Sequence, residues 1–282
     1  MFTKKVLVAL DASDTAEKAF KRGVLIADRM GCELEVLWLI TPLPDHAIMR
    51  FMALLSVDGM QIKQHYHKEK SFLKDVLARW KSDHFSLLIK SCDISHKGLL
   101  APLDWQLLRQ APCPVLLVKR DSLWEGGKIM AAVDPHSRKK SCLQLNQSVL
   151  MMAGVISQEA KADLQVVVSY APPMLGADAE SQSADMLAEK TSRAAHVLLD
   201  SMKITASNYH IGEGPPEYWI PNVAEEQHAA LVVIGTHGRD GIKGALLGNT
   251  AERILDRLSC DVLVLREGLS EDFNLPAISS TL

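Results

Sequence analysis

Four segments of the sequence occur twice, in the same order, and this internal repeat constrains the fold more than any other feature. Each segment is built around a short apolar run; "KKVLVALDAS", for example, returns as "KIMAAVDPHS". Self-similarity in a fixed order indicates one structural unit that is present in two copies. The matching segments are 4–13 with 128–137, 32–42 with 162–173, 84–93 with 228–238, and 111–121 with 258–268.

The repeat predicts two domains and a short tail. A chain of 282 residues is long enough for two domains that each bury a core. We place the first domain at 1–120, the second at 128–268 and a C-terminal tail at 269–282. The Gly-Gly pair that ends the connecting segment 121–127 favours a turn.

Short unbroken runs of Val, Leu and Ile alternate with amphipathic stretches in both copies, which predicts an α/β fold. Unbroken runs are typical of strands buried on both faces of a parallel sheet. The alternation favours doubly wound units with right-handed crossovers, in which ligands bind beyond the carboxyl ends of the strands. In the first copy we predict strands at 5–10, 34–40, 60–65, 86–90 and 115–119, with a shortened second helix around 46–57. In the second copy we predict strands at 129–133, 164–169, 208–212, 231–235 and 261–265, and helices at 138–158, 183–203, 216–228 and 249–258.

Charge and composition exclude several classes of function. A net charge of −3 provides no basic field for nucleic acid, and no apolar run approaches the roughly 18–20 residues of a membrane span. The apolar run near the N-terminus covers about six residues, which is short for a signal peptide. The five cysteines form no Cys-x-x-Cys pair, so we expect a cytoplasmic protein without structural disulfides.

The segment "GTHGRDGIKGALLGNTAER" at 235–253 concentrates glycine directly before a predicted helix. It is not a P-loop, because Gly248 is followed by Asn249 and Thr250, and it lacks the Gly-x-Gly-x-x-Gly spacing of dinucleotide-binding loops. Its own spacing is Gly-x-x-Gly, nine residues, and a third Gly.

We interpret this segment as a phosphate-binding loop at a helix N-terminus. The spacing of Asn249 and Glu252 resembles a capping box, which sets Gly248 just before the helix. Unpaired N–H groups and the helix dipole attract phosphate at such a position, and glycine lets the backbone approach it closely. Arg239 and Lys243 add positive charge. The residues alone leave open the alternative that the glycines form only a flexible connection.

Together these features resemble the universal stress protein superfamily, and the resemblance covers residues 4–268. The segments "DWQLLRQAPCPVLLVKRDSLWEGGK" and "LLGNTAERILDRLSCDVLVL" are similar to its tandem bacterial members. The resemblance implies five-stranded sheets of order 3-2-1-4-5, related by a pseudo-twofold axis and paired inside the chain through their last strands. Because exposed strand edges favour association, we expect an isolated second domain to form a homodimer.

The resemblance also implies a ligand, ATP or another adenine nucleotide with or without Mg²⁺, and a role in stress resistance. Asp134 matches the acidic residue that meets the nucleoside, the backbone at Ser169 matches the adenine contact, and the glycine motif matches the phosphate and ribose contacts. Asn249 stands where the family usually has Ser or Thr, so we expect an altered phosphate contact. The alternative for Asp134 is a turn ahead of Pro135. The predicted nucleotide-binding residues are Val133, Asp134, Ser169, Gly235, Gly238, Arg239, Gly248, Asn249 and Thr250.

The first copy has lost the glycine loop. Ser91, Ile94 and Ala101 stand where the second copy has its motif glycines, so we predict no phosphate site there, although Asp11 remains at the end of the first strand. An apolar or lipid-like ligand in the first domain is a further hypothesis, because the segment 47–57 is rich in methionine and suits adaptable apolar pockets. An ordinary core helix is the alternative.

Two other classes of function remain open. The chain is an interaction or scaffold protein if neither domain binds a ligand, and a slow ATPase if bound ATP is hydrolysed, although no catalytic base can be named. Residues of metal-ligating type, namely His65, His67, Cys92, Asp93 and His96, lie near one another in the sequence. Scattered histidines on polar loops are usually solvated, and we predict no metal site.

Overall fold

The computed structural model describes residues 5–10, 16–38, 62–67, 71–92, 102–173, 183–237 and 248–267. Its contacts divide the chain into unit 1, Met1–Asp121, and unit 2, Ser122–Leu282. The predicted helix at 46–57 and the tail at 269–282 lie outside the described residues.

Unit 1 alternates strands and helices, as the apolar runs predict. All six residues of its first strand are buried, which fits a central strand covered on both faces. The strands are β1 Lys5–Leu10, β2 Glu33–Trp38, β3 Ile62–Tyr66, β4 Leu87–Ser91 and β5 Val115–Val118. The described helices are α1 Ala16–Met30, α2 Phe72–Ser82 and α3 Pro102–Gln110.

Unit 2 repeats this alternation, and its strands lie within one residue of the predicted bounds at either end. Its strands are β6 Lys128–Ala132, β7 Asp163–Tyr170, β8 Asn208–Glu213, β9 Leu231–Thr236 and β10 Asp261–Arg266. Its described helices are α4 Lys140–Glu159, α5 Ala184–Ser201, α6 Pro216–Glu226 and α7 Asn249–Arg257.

Both units have the strand order that the family resemblance implies. In unit 1 the order is β3-β2-β1-β4-β5, and in unit 2 it is β8-β7-β6-β9-β10. All of these neighbouring strands run parallel. The first strand of each unit is therefore central, and strand order reverses on either side of it, which is the position where doubly wound sheets bind ligands.

Right-handed crossovers assign the helices of unit 2 to the two faces of its sheet. The connections from β6 to β7 and on to β8 carry α4 and α5 on one face, and the return to β9 and β10 carries α6 and α7 on the other. Consistent with this, α6 and α7 contact each other, while α4 packs on β6 and β9. The carboxyl ends of the strands lie between these two helical layers.

Three basic side chains contact one buried carboxylate in unit 1. Glu35, on β2, is 1% exposed and accepts hydrogen bonds from Arg79 Nε and Nη2 at 2.9 and 3.0 Å. Lys5 Nζ lies 3.4 Å from its Oε1 and His65 Nε2 lies 3.2 Å from its Oε2. Burial lowers the pKa of His65, and the charge of Arg79 adds to this effect.

We expect the free energy of unfolding of unit 1 to fall as the pH is lowered from about 7.5 to about 5.5, because an unfolded histidine takes up its proton near pH 6.5. Folded His65 resists that proton, so the unfolded state binds more protons. The stabilisation is complete above the unfolded pKa, begins to decline there, and is lost as the pH falls on through the lower pKa of the folded state. Urea unfolding of wild type and His65→Gln over this pH range tests the expectation. In the variant, the free energy of unfolding of unit 1 should depend less steeply on pH.

His210, in unit 2, is the control, because its pKa is also lowered by burial. His210→Gln should leave the pH dependence of the free energy of unfolding of unit 1 unchanged.

Candidate functional site

Unit 2 contains a cavity of about 960 Å³ at the carboxyl ends of its strands. The wall is formed by the ends of β6, β7 and β9, by the loop after β8, and by the first turn of α7. This is the topological switch point of the sheet, where β6 lies between β7 and β9. The volume falls in the range of sites that enclose small molecules.

Asp134 lies in a turn at the end of β6 that α4 holds in place. Its backbone N–H donates to Asn146 Oδ1 at 3.1 Å, and Asn146 Nδ2 donates back to the Asp134 carbonyl oxygen at 2.6 Å. Asp134 Oδ1 accepts the backbone N–H of His136 at 3.1 Å, which is the side-chain turn typical of Asp. Asp134 is exposed and lines the cavity, so it both forms the turn and faces the cavity.

His136 connects this turn to α5. Thr191 Oγ1 donates to the Leu187 carbonyl oxygen at 2.7 Å, so the same hydroxyl accepts from His136 Nε2, which lies 2.8 Å away. A neutral imidazole that donates from Nε2 carries its acceptor at Nδ1. His136 lines the cavity, and the bond to Thr191 fixes the orientation of its ring.

The far wall is formed by the ends of β7 and β8. Ser169 and Tyr170 are the last two residues of β7, and both line the cavity. The N–H of Gly214, just after β8, donates to the Tyr170 carbonyl oxygen at 2.9 Å. Burial, followed by the charges of Glu213 and Asp185, raises the pKa of the Tyr170 hydroxyl. Tyr170 therefore stays neutral at physiological pH.

Two of the motif glycines line the cavity for different physical reasons. A Cβ on Gly235 would lie 2.6 Å from Leu145 Cγ, so glycine is needed there for packing against α4. Among the described residues, a Cβ on Gly248 would meet the His237 carbonyl oxygen alone, at 3.6 Å, which is an ordinary contact. Gly248 has φ −64° and ψ 142°, a conformation open to any residue. The fold alone therefore does not require glycine at 248.

The N-terminus of α7 opens into the cavity next to Gly248. The first bond within the helix runs from the Glu252 N–H to the Gly248 carbonyl oxygen at 3.1 Å, so the N–H groups of Thr250 and Ala251 precede the helical ladder and point out of the N-terminus. Both residues line the cavity, whereas Asn249 is exposed and does not. The capping interpretation of Asn249 needs correction by one position, because Gly248 is the N-cap and Asn249 is the first helical residue.

A cysteine and two titratable groups lie at the edge of the cavity. Cys142, in the first turn of α4, has its Sγ 3.9 Å from His237 Nδ1, and both residues line the cavity. The same Nδ1 lies 2.9 Å from Glu267 Oε2. Hydrogen bonds from Ser141 and His237 lower the pKa of Glu267. Glu267 is therefore ionised and holds the imidazole of His237 beside the thiol.

The structure brings most of the predicted nucleotide-binding residues together around one cavity. Gly238 and Arg239, together with Lys243 of the same loop, lie outside the described residues, and Asn249 lies beside the cavity. Those that line it are Val133, Asp134, Ser169, Gly235, Gly248 and Thr250. Lining residues that the sequence did not single out include His136, Cys142, Leu145, Asn146, Tyr170, Lys190 and His237. Three of these, His136, Tyr170 and His237, lie at or just after the end of a strand, and that position is the signal that would have identified them.

The other sequence candidates have different surroundings. His65 contacts Glu35, and His67 contacts Asp75; Asp93 and His96 lie outside the described residues. Among the described residues no group of three His, Cys, Asp or Glu side chains is placed to hold a metal ion. All five cysteines are described, and all are free thiols. None of the described helices has the length and apolar character needed to cross a membrane.

Comparison with known proteins agrees with this architecture. The model of the universal stress protein family matches residues 127–266. The chain is 25% identical to universal stress protein E of Photorhabdus laumondii over 93% of this chain and 95% of that protein. It is 26% identical to universal stress protein E of Salmonella typhi, over 93% of this chain and 94% of that protein.

Solved structures share the tandem arrangement over nearly the whole chain. A Pseudomonas aeruginosa protein assigned to the universal stress proteins is 31% identical, with a TM-score of 0.80 over 95% of this chain and 97% of that chain. A universal stress protein from Archaeoglobus fulgidus, at 18% identity and a TM-score of 0.64, shares the fold. The chain belongs to the universal stress protein family, as a tandem member similar to universal stress protein E.

Proposed function

We propose that unit 2 binds an adenine nucleotide, with ATP as the leading candidate, and that the protein contributes to stress resistance in the cytoplasm. The observation that carries the proposal is the cavity at the switch point of unit 2, whose wall includes both Asp134 and the N-terminus of α7. A nucleotide needs an anion-binding end and an apolar, hydrogen-bonding end within one site. In this cavity the N-terminus of α7 is the candidate for the anion-binding end, and the ends of β6 and β7 are the candidate for the apolar, hydrogen-bonding end.

The phosphate end is formed by Gly248 and the first turn of α7. N–H groups without partners in the helix, together with the positive end of the helix dipole, stabilise a phosphate group. The absence of a Cβ at Gly248 lets phosphate oxygens approach the backbone. Mg²⁺, where it accompanies ATP, would be held mainly by phosphate oxygens and water, as is usual for this ion.

The nucleoside end is formed by β6 and β7. Asp134 is in position to accept hydrogen bonds from ribose hydroxyl groups, and the backbone at Ser169 offers an edge to the base. Apolar side chains, including Val133 and Ile220, line the same space and suit the faces of a purine ring. Lys190 adds an ammonium group to the same wall, and His136 and His237 add ring nitrogens that can form hydrogen bonds.

The experiment is to denature the purified protein and identify any released ligand by mass spectrometry, followed by calorimetric titration of the ligand-free chain with ATP. Released ATP, with saturable binding at one site per chain, supports the proposal. Absence of both would favour an interaction or scaffold protein. Release of ADP alone would point to slow hydrolysis and would be checked by measuring phosphate production.

Alkylation of cysteine gives a second test that locates the nucleotide. At an ATP concentration about ten times its Kd, we expect iodoacetamide to modify Cys142 about ten times more slowly, because roughly one tenth of the sites remain empty. Cys32 is the matched control, since it is partly exposed like Cys142 but lies in unit 1. Its rate of alkylation should not change. Equal rates at Cys142 with and without saturating ATP would contradict binding in this cavity.

A further inference from the structure

Unit 1 carries a charged pair at the place where unit 2 has part of its cavity wall. In unit 1, Lys90 pairs with Ala9 in the β4–β1 ladder, and in unit 2 Ile234 pairs with Ala132 in the β9–β6 ladder. The two ladders correspond strand for strand, so Lys90 occupies the position of Ile234, which lines the cavity of unit 2. An apolar wall residue has been replaced by a lysine.

A carboxylate faces this lysine from the first turn of α3. Asp104 is 1% exposed and Lys90 is 5% exposed, and Nζ of the lysine lies 3.0 Å from Oδ1 of the aspartate. Lys90 Nζ also donates to the Ser91 carbonyl oxygen at 2.8 Å. In the aligned sequences the position of Asp104 corresponds to Ala251, a cavity residue in the first turn of α7.

The residues next to the pair are buried as well. Cys92 lies two residues beyond Lys90, is 3% exposed, and has its pKa raised to about 12, first by burial and then by the charge of Asp104. Lys119, just after β5, is 3% exposed and acts on the same thiol with the opposite sign. The Asp104 carboxylate is therefore paired with one buried ammonium group and lies in the first turn of α3, where the positive end of the helix dipole also favours a negative charge. An ammonium group and a helix N-terminus are groups that hold a phosphate or carboxylate ligand in other proteins.

We propose that Asp104 is a built-in anion, which occupies the anion-binding position at the start of α3 and pairs with Lys90 in place of a ligand. Unit 1 thus carries its own anion where unit 2 has an open cavity. In unit 2 the acidic residue of the corresponding first turn is Glu252, which does not line the cavity. The comparison with unit 2 rests on the proposed nucleotide site, but the role of Asp104 does not, and it is tested separately.

The test is rescue of an Asp104→Ala variant of the full chain by formate, which has the size and charge of the deleted carboxylate. Removing one member of a buried ion pair leaves the other charge uncompensated, so we expect the thermal midpoint of unit 1 to fall by roughly 10 °C or more in sodium chloride. In sodium formate at the same ionic strength, the midpoint should recover by several degrees, and the recovery should saturate with concentration because formate binds only the folded state.

Two further variants make the result specific. Lys90→Ile/Asp104→Ala installs the residues of unit 2, and we expect it to regain most of the lost midpoint without any response to formate, because no buried charge remains. Asp28→Ala removes an exposed carboxylate from α1 and should behave as wild type in both salts. A formate response in Asp104→Ala no larger than in wild type, whether that variant is folded or unfolded in chloride, would overturn the proposal.

Discussion

Replacement of Gly248 by valine should weaken ATP binding by at least ~10-fold in Kd, equivalent to about 1.4 kcal/mol, while unit 2 remains folded. The reason is the difference between what the fold requires and what a ligand requires at this residue. Its backbone angles are open to any residue, and within the part of unit 2 that the structure describes a Cβ meets just the His237 carbonyl oxygen, at 3.6 Å. The branched side chain would instead occupy the space through which phosphate approaches the N-terminus of α7.

Calorimetric titration of wild type, Gly248→Ala and Gly248→Val with ATP measures this effect, and the loss of affinity should increase with side-chain size. Urea unfolding of the same proteins is the control. We expect the free energy of unfolding to fall by about 1 kcal/mol in both variants, because alanine and valine are poorer N-cap residues than glycine, whereas the added Cβ makes only an ordinary contact with the described residues. An unchanged Kd for Gly248→Val would exclude phosphate contact at this residue. A large loss of stability would instead show that the fold itself depends on this glycine.

The strands could be predicted from the sequence because they depend on local patterns, whereas their order was implied by the resemblance to the universal stress protein superfamily. A strand buried on both faces gives an unbroken apolar run that ends at turn residues, so β1 was predicted at 5–10, the bounds that the structure has. The duplication supplied a second, independent copy of each pattern. The start of a helix was less accurate where no capping residue marks it: α4 begins at Lys140, two residues after its predicted start, and its N-cap Lys139 makes no side-chain capping bond.

The wall of the candidate site could be predicted only in part, because most of its contacts join distant segments. His136 meets Thr191, and Cys142 meets His237, across 55 and 95 residues of chain respectively, and no local pattern indicates such pairs. The sequence also indicated only one of two reasons for a glycine at position 235. Glycine is needed there to pack against Leu145, in addition to its place in the motif, and a pattern of glycines does not distinguish these two causes.

Gly212 provides the prediction with the largest expected effect on stability. A Cβ at this position on β8 would lie 2.2 Å from Cζ2, 2.3 Å from Cη2 and 2.4 Å from Cε2 of Trp219. The indole is a rigid ring on α6, and its Nε1 donates to the His210 carbonyl oxygen at 3.4 Å. To make room, either the ring gives up this hydrogen-bonded position or α6 moves. We expect Gly212→Ala to reduce the free energy of unfolding of unit 2 by about 3 kcal/mol, at the upper end of the range for overpacked cores.

The same substitution should also weaken nucleotide binding, because Pro216 and Ile220 of α6 line the cavity and would move with the helix. Urea unfolding followed by circular dichroism gives the stability, and titration with ATP gives the affinity. Gly154→Ala is the matched control: this glycine lies inside α4 with no atom within 4 Å of the added Cβ, so alanine should stabilise the helix by roughly 0.5–1 kcal/mol. Trp219→Ala in the Gly212→Ala background removes the clash, and the two substitutions should then cost less together than the sum of their separate effects. Additive effects would mean that the ring moves aside without displacing α6, and the affinity for ATP should in that case be unchanged.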